Sequence, residues 1–492
     1  MYKDGVVTIS DFQKGQARHP IYGFGLLRNI EIFENPGIAK LKNRLATRTS
    51  ISPTAVPLAE VYDQYGNIYT LTGETGTGTC YKNGTSIQGS LNNAWDLAIY
   101  KDYLWVRNAN VMHAYGPLNN SPQWFSNVGT GYDSNYRGAL LVGQDDYLYT
   151  GNGNYVTKLN ITGTGTPGVA PSVATSTQLD LPDGQYVSCL EEFGTKIAIG
   201  THGGASYYDR GNYPTARIYT WNRQAGTLGN FGLADLPVSF TENGINAIKQ
   251  HANKLYVSAG TQGNIYVSDG TNYQKVTTLP YAQTGFNYSA TVFPNALEIS
   301  SRGTLLVGLS GELNTVSAPA IYEIDLNTTG YPTTSFTTSN YTIGTVNNST
   351  IYKIGFINNK SRQVLNVGYS HNSTYAVESS DSTLYNSYGG VLESPLIKVG
   401  SYNSKKTFEH IEWTLAEPLV SGQNIRISYR KNNKEDYTLI NTWTYSTYGG
   451  IISFEDIAAI ADCEYIQLKI ELDQGLTTLY GSNINLISVR LW

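Results

Sequence analysis

The sequence is short of charge. Lys, Arg, Asp and Glu together make up 14% of its 492 residues and leave a formal net charge of -5. That balance excludes a surface dominated by positive potential, although a local basic patch is compatible with it. Cysteine is also scarce. Cys80, Cys189 and Cys463 are odd in number, far apart and without metal-ligand spacing, so they read as buried free thiols in a reducing compartment. No run of about 18 apolar residues occurs, which gives no reason to expect a membrane-inserted helix. The opening MYKDGVVTISDFQKG lacks the apolar stretch of a signal peptide. Ala, Leu, Glu and Lys are too few for long helices.

What is present points one way. The chain holds 39 Tyr and 50 Gly, with abundant Thr, Asn and Ser. Tyr and Thr suit a pleated, half-buried backbone, and Gly and Asn suit turns, so the fold class is all-β. Asn-x-Ser/Thr triplets such as Asn83-Gly-Thr are expected by chance in such a chain. A surface of extracellular character without an export signal fits a protein that folds in a host cytoplasm and works outside the cell.

A short apolar strand recurs after a polar turn, with Ile68, Leu104, Leu148, Ile197, Leu255, Leu305 and Leu365 as its markers. The steps run from roughly 36 to roughly 60 residues, bracketing the repeat of a four-stranded propeller blade. Another apolar strand precedes the marker, as in Trp95-Asp-Leu-Ala-Ile-Tyr, and a third follows, as in Ile265-Tyr-Val-Ser. Seven markers predict a β-propeller of about seven blades over residues 58–385. A pair of β-sandwiches with regular alternation is the plainer alternative. From 386 to 492 the alternation is cleaner, as in Ile466-Gln-Leu-Lys-Ile-Glu-Leu, and predicts a C-terminal β-sandwich of jelly-roll type. Residues 1–57 are the most basic part and too short for a core of their own. They read as an extended N-terminal docking arm.

Within that arm, Gly15, Pro20, Arg28, Asn29, Pro36, Gly37, Lys42 and Arg44 form a pattern that resembles the start of tail nozzle (tail tubular) proteins of short-tailed bacteriophages. The stretch from Ser394 through Ile466-Gln-Leu-Lys-Ile-Glu-Leu is similar to β-sandwiches of phage tail proteins. The resemblance covers about a third of the chain and implies a virion structural protein whose leader threads between subunits. It makes Arg28, Asn29, Pro36, Gly37, Lys42 and Arg44 the candidate subunit-docking residues. It also implies partners among other virion proteins, a homo-oligomeric ring, and assembly in the host cytoplasm. Nozzle proteins are usually longer, which leaves the position in the particle open.

Catalytic patterns are weak. Gly73-Glu-Thr-Gly-Thr-Gly-Thr lacks the Lys of a phosphate loop, and Ser268-Asp-Gly-Thr-Asn-Tyr only superficially resembles the turns of propeller sialidases. The six histidines fall in separate repeats, and no metal or cofactor is expected. His202-Gly-Gly, with Tyr207, Tyr208, Asp209 and Arg210, is the most site-like stretch, and a long blade loop is its simpler reading. The adjacent acids Asp145-Asp146 and Glu191-Glu192 should point apart and read as solvated turns. The expectation is therefore a non-enzyme. Two other functions compete with it: recognition of a host surface glycan through Trp124, Tyr132, Tyr136 and Tyr213, and a polysaccharide hydrolase with acids converging in the propeller channel. No sequence-specific nucleic-acid partner is expected.

Overall fold

The computed structural model describes the chain except for residues 1, 4, 11, 13–25, 36, 49–50, 52, 74–76, 205–215, 224–233, 240–241, 280–288, 314–315, 318–319, 339–348, 360–361, 372–373, 386–388, 402–403, 433–435, 449 and 474–483. The described secondary structure is almost entirely β, and the chain divides into two compact units.

The larger unit comprises residues 47–319 and 346–379. Five separate four-stranded antiparallel sheets follow one another through its sequence. They are built from residues 57–92, 94–130, 140–180, 186–239 and 245–278. Two further sheets begin with Ser289–Ile299 and Ser349–Asn359, which pair with Thr304–Leu313 and Arg362–His371 respectively. The first strands of the seven sheets are Pro57–Tyr62, Ala94–Tyr100, Leu140–Val142, Tyr186–Phe193, Ile245–His251, Ser289–Ile299 and Ser349–Asn359. Each packs against the next, and the seventh packs back against the first. A closed ring of seven inner strands is a seven-bladed β-propeller.

The markers predicted from sequence all fall on the second strand of a blade. These strands include Ile68–Thr72, Tyr103–Asn108 and Lys254–Ala259. Each is nearly all buried, because an interior propeller strand is covered on both faces. Tight turns feed them. Lys101 and Asp102 adopt φ of 48° and 60°, and Ala252 and Asn253 take 48° and 60° in the equivalent turn. Both residues of such a hairpin require positive φ, which Asn and Asp tolerate best after glycine.

Apolar clusters fill the gaps between blades. Leu58, Tyr69 and Leu71 of the first blade meet Leu97, Leu104 and Val106 of the second. Cys189 and Ile218 of the fourth meet Ile245, Ile248 and Leu255 of the fifth. Each such side chain contributes about 1.5–3 kcal/mol by leaving water. The contact between the fourth and fifth blades is tight enough to require a glycine. A Cβ on Gly200 would stand 2.6 Å from Cys189 Sγ and 2.7 Å from Ile245 Cγ2.

The smaller unit comprises residues 1–46, 320–345 and 380–492. Its strands form two layers around one core that includes Trp413, Trp443, Ile425, Ile470 and Leu486. One layer runs in the order Tyr2–Lys3, Val6–Ile9, Asn485–Leu491, Lys406–Leu415, Ile452–Cys463. The other contains Thr438–Thr444, Asn424–Lys431, Tyr465–Asp473, Gly390–Glu393, Leu26–Arg28 and Thr333–Phe336. This is a β-sandwich.

The division differs from the three segments expected from sequence. Of the segment 1–57 read as a docking arm, residues 1–46 belong to this unit and supply strands to the sandwich: Val7 pairs with Leu491 and Leu27 with Leu392. The segment 320–345, read as propeller, belongs to the same compact unit. Short strands such as Leu26–Arg28 have too few residues to announce a partner in sequence, so their sheet is set by burial of Leu27 and Ile30 in a distant core.

Candidate functional site

Six of the seven inner strands of the propeller carry an ionisable or amide side chain toward the channel, and these line a cavity of about 510 Å³. The first strand contributes Glu60, the second Asp96, the fourth Glu191, the fifth Lys249, the sixth Asn295 and Glu298, and the seventh Lys353. Arg137, just before the third strand, completes the belt. Strand alternation places them there, since each is flanked by residues that enter the blade cores, such as Ala59, Leu97, Ile248 and Leu297.

The belt has a sealed side and an accessible one. On the sealed side the Glu60 carboxylate is 0% exposed and the Lys353 ammonium stem 3%. Lys353 Nζ lies 2.7 Å from Glu60 Oε2, Arg48 Nη1 lies 2.9 Å from Oε1, and the Tyr62 hydroxyl donates to Oε1 at 2.5 Å. Burial alone would raise the Glu60 pKa, but Lys353 and Arg48 overcome it and hold the carboxyl below its ordinary value. Asp96 is tied across the channel. Its Oδ1 accepts from Asn295 Nδ2 at 3.3 Å and its Oδ2 from the Leu140 amide at 2.9 Å. Burial raises the Asp96 pKa, and the charge of Arg137 opposes that rise.

On the accessible side Lys249 stands between two carboxylates, 3.2 Å from Glu298 Oε2 and 3.8 Å from Glu191 Oε2. The three side chains are 28%, 27% and 20% exposed, respectively. Burial pushes the Glu191 carboxyl up to about 7, helped by the negative charge of Glu298 and opposed by Lys249. The two carboxylates in turn raise the Lys249 pKa against its burial. With Arg48 counted and every group ionised, the belt sets four cations (Arg48, Arg137, Lys249, Lys353) against four carboxylates (Glu60, Asp96, Glu191, Glu298). Such an arrangement can donate and accept hydrogen bonds and can exchange one proton near neutral pH through Glu191.

Sequence reasoning did not identify this belt. Glu191 and Glu192 do point apart, but neither sits in a solvated turn: Glu191 faces the channel and Glu192 forms an ion pair with Arg223. Asp145 accepts from Lys158 at 2.8 Å and Tyr149 at 2.7 Å, while Asp146 occupies a turn with φ of 57°. The signal was a charged residue within an inner strand, present in six of the seven.

The candidate docking residues belong to the sandwich unit, and those described do not line the channel cavity. Asn29, at φ 56°, is buried and fastens three strands. Its Nδ2 donates to the Gly389 carbonyl at 3.0 Å, and its Oδ1 accepts from the Thr337 amide at 3.0 Å. Its own amide donates to Ser335 O at 2.7 Å. Lys42 is buried as well, ion-paired with Glu323, 3.6 Å from Glu31 and 4.8 Å from the centre of the Phe336 ring. The charge of Lys42 is thus spent within the unit. Arg28 is half-buried on its strand, and Gly37 sits in a turn at φ 87°. Pro36 and the Arg44 side chain fall outside the described residues, as do Gly15 and Pro20.

Of the aromatics considered for glycan contact, Trp124 is half-buried, 5.4 Å from His113. Tyr132 lies under the Arg107 guanidinium at 4.3 Å, and Tyr136 is stacked on Tyr186 at 4.3 Å. Tyr213 falls outside the described residues, together with Tyr207, Tyr208, Asp209 and Arg210. His202 is buried, with Nδ1 2.8 Å from the Gly203 carbonyl. Among the described residues no group of three or more His, Cys, Asp or Glu is placed to hold a metal ion. Cys80, Cys189 and Cys463 are buried and not in disulfides.

Fold and channel together define a seven-bladed β-propeller with an ion-paired channel belt, carried on a chain that also folds a β-sandwich. Comparison with known proteins adds no family: no family model matches the sequence, and no curated protein matches it. Solved structures with some likeness include virginiamycin B lyase from Staphylococcus aureus, at 10% identity and TM-score 0.44 over 69% of this chain and 99% of that one. Another is the extracellular domain of the putative one component system BT4673 from B. thetaiotaomicron, at 13% identity and TM-score 0.44 over 82% of this chain and 47% of that one. A third is BBS1N in complex with ARL6DN, at 11% identity and TM-score 0.41 over 70% and 97%. Likeness at this level carries no argument about activity.

Proposed function

We propose that this chain is a non-enzymatic structural component of a bacteriophage particle, acting in the tail by assembling into a ring with other copies and contacting neighbouring virion proteins. The observation that carries the assembly reading is an exposed apolar edge on the sandwich. Leu439, Tyr445, Ile451, Ile452 and Phe454 are 45–63% exposed and account for five of the nine large apolar side chains exposed among the described residues. They lie on and between Thr438–Thr444 and Ile452–Cys463, each the last strand of its sheet. Long edge strands with outward apolar side chains are avoided in chains that stay alone, and they mark contact surfaces. The opposite edge of the sheet that ends in Ile452–Cys463 is Tyr2–Lys3, so copies can join head to tail, a contact that makes a ring when its rotation closes.

The phage assignment is supported by the leader pattern and the tail-like sandwich sequence. The non-enzymatic reading is supported by the channel, where Glu60, Asp96 and Glu298 each accept a close contact from a cation or amide of the chain. Light scattering and negative-stain microscopy of the purified protein test the ring. Mass spectrometry of purified particles tests the location. A protein that stays monomeric at tens of micromolar and is missing from particles overturns the proposal.

A further inference from the structure

The channel belt has a part that its own ion pairs do not use up. On the sealed side, Glu60 receives four donors, Lys353, Arg48, Tyr62 and Asn366, which fill its lone-pair sites. On the accessible side one ammonium serves two carboxylates, and its 3.8 Å approach to Glu191 is too long for a hydrogen bond. These groups are partly exposed to a cavity of about 510 Å³, within the range of small-molecule sites. The half-buried ring of Phe356 lines the same cavity. At this part of the belt one ammonium faces two carboxylates, one of them raised to about 7, so the local charge is slightly negative to neutral and disfavours an anion. Carboxylates that accept, an ammonium that donates and an aromatic face together suit a ligand with many hydroxyls and a C–H face.

We propose that the propeller channel binds a neutral saccharide of one or two sugar units at Glu191, Lys249, Glu298 and Phe356. Hydroxyls donate to the two carboxylates and accept from Lys249, while the sugar's C–H face covers Phe356. The site is a binding site and involves no bond cleavage. It lies wholly in the propeller unit and does not depend on the sandwich edge or on assembly. Protonation of Glu191 near pH 7 turns one acceptor into a donor, so affinity should change between pH 6 and 8.

The test is saturation-transfer NMR followed by calorimetry on the full chain. The probes are glucose, galactose, N-acetylglucosamine, lactose and cellobiose, with N-acetylneuraminate and glucosamine as charged controls. At least one neutral sugar should bind saturably. Phe356→Ala and Glu298→Gln should each weaken it about tenfold, the loss of one good contact. Trp124→Ala, outside the channel, should bind as the parent does, and unchanged thermal melting separates loss of the site from loss of fold. Three results overturn the inference: no neutral sugar binds the parent, binding survives in both channel variants, or a charged sugar is preferred. Ring formation measured in the same samples reports on the assembly proposal separately.

Discussion

Replacing Lys353 with Met tests whether the sealed side of the belt holds the propeller together. The substitution keeps the stem and removes the charge 2.7 Å from a carboxylate that is 0% exposed. Breaking a buried pair from one side costs about 3–5 kcal/mol, because the remaining charge is stranded. Arg48 remains 2.9 Å from the other oxygen, so the lower end, about 3 kcal/mol, is expected. Removing both charges, in Glu60→Gln with Lys353→Met, should cost less than the sum of the singles by about 2 kcal/mol. Arg48, whose side chain is 13% exposed, still reaches water in the double variant. The assay is urea unfolding of the full chain followed by tryptophan fluorescence, read on the propeller transition. Because the folded Glu60 pKa lies below its ordinary 4.5, its contribution is present above that pH and lost as pH falls through the folded value. The gap between parent and Lys353→Met should therefore close on acidification. A single-variant cost under about 1 kcal/mol, or strictly additive costs, refutes the reasoning.

Other consequences can be checked more quickly. Glu191 is raised to about 7 in the folded protein, so its contribution is full below about 4.5 and lost as pH rises through 7. Glu191→Gln should flatten that part of a melting-temperature profile measured from pH 4.5 to 8. Asn29→Ala leaves the Thr337 amide and the Gly389 carbonyl without their side-chain partner and should cost the sandwich about 2–4 kcal/mol in chemical denaturation. Gly200→Ala should cost about 1–3 kcal/mol by forcing the fourth and fifth blades apart, seen as a lower melting temperature. Ile452→Lys with Phe454→Lys should reduce the assembled mass in light scattering and leave the melting temperature unchanged.

The propeller was legible because its signals are local. A polar turn, a doubly covered second strand and a flanking strand recur within about 20 residues, and markers such as Leu104 and Leu255 fall where that pattern puts them. The sandwich was legible in Ile466-Gln-Leu-Lys-Ile-Glu-Leu, whose burial does alternate in part. Two things were not legible. The leader's place in the sandwich depends on partners hundreds of residues away, such as Leu27 beside Leu392, and strands of two or three residues carry no periodicity. The channel belt is assembled from single charges in separate repeats. Glu60 has no sequence neighbour that predicts Lys353, and only ring closure brings them together. Lys42 misled for the opposite reason: a lysine in a basic leader looks like a contact residue until Glu323 and Glu31 are seen around it.

The belt also acts as a count. Glu60 of the first blade meets Lys353 of the seventh, Asp96 of the second reaches Asn295 of the sixth, and Lys249 of the fifth joins its neighbours on both sides. A ring closed one blade short, or with two blades exchanged, would bury a carboxylate opposite another or strand a lysine in the channel. Either error costs several kcal/mol. Propeller blades resemble one another and could close in the wrong number on apolar packing alone. The charges along the axis make the blades distinguishable, because each meets a particular partner from another blade.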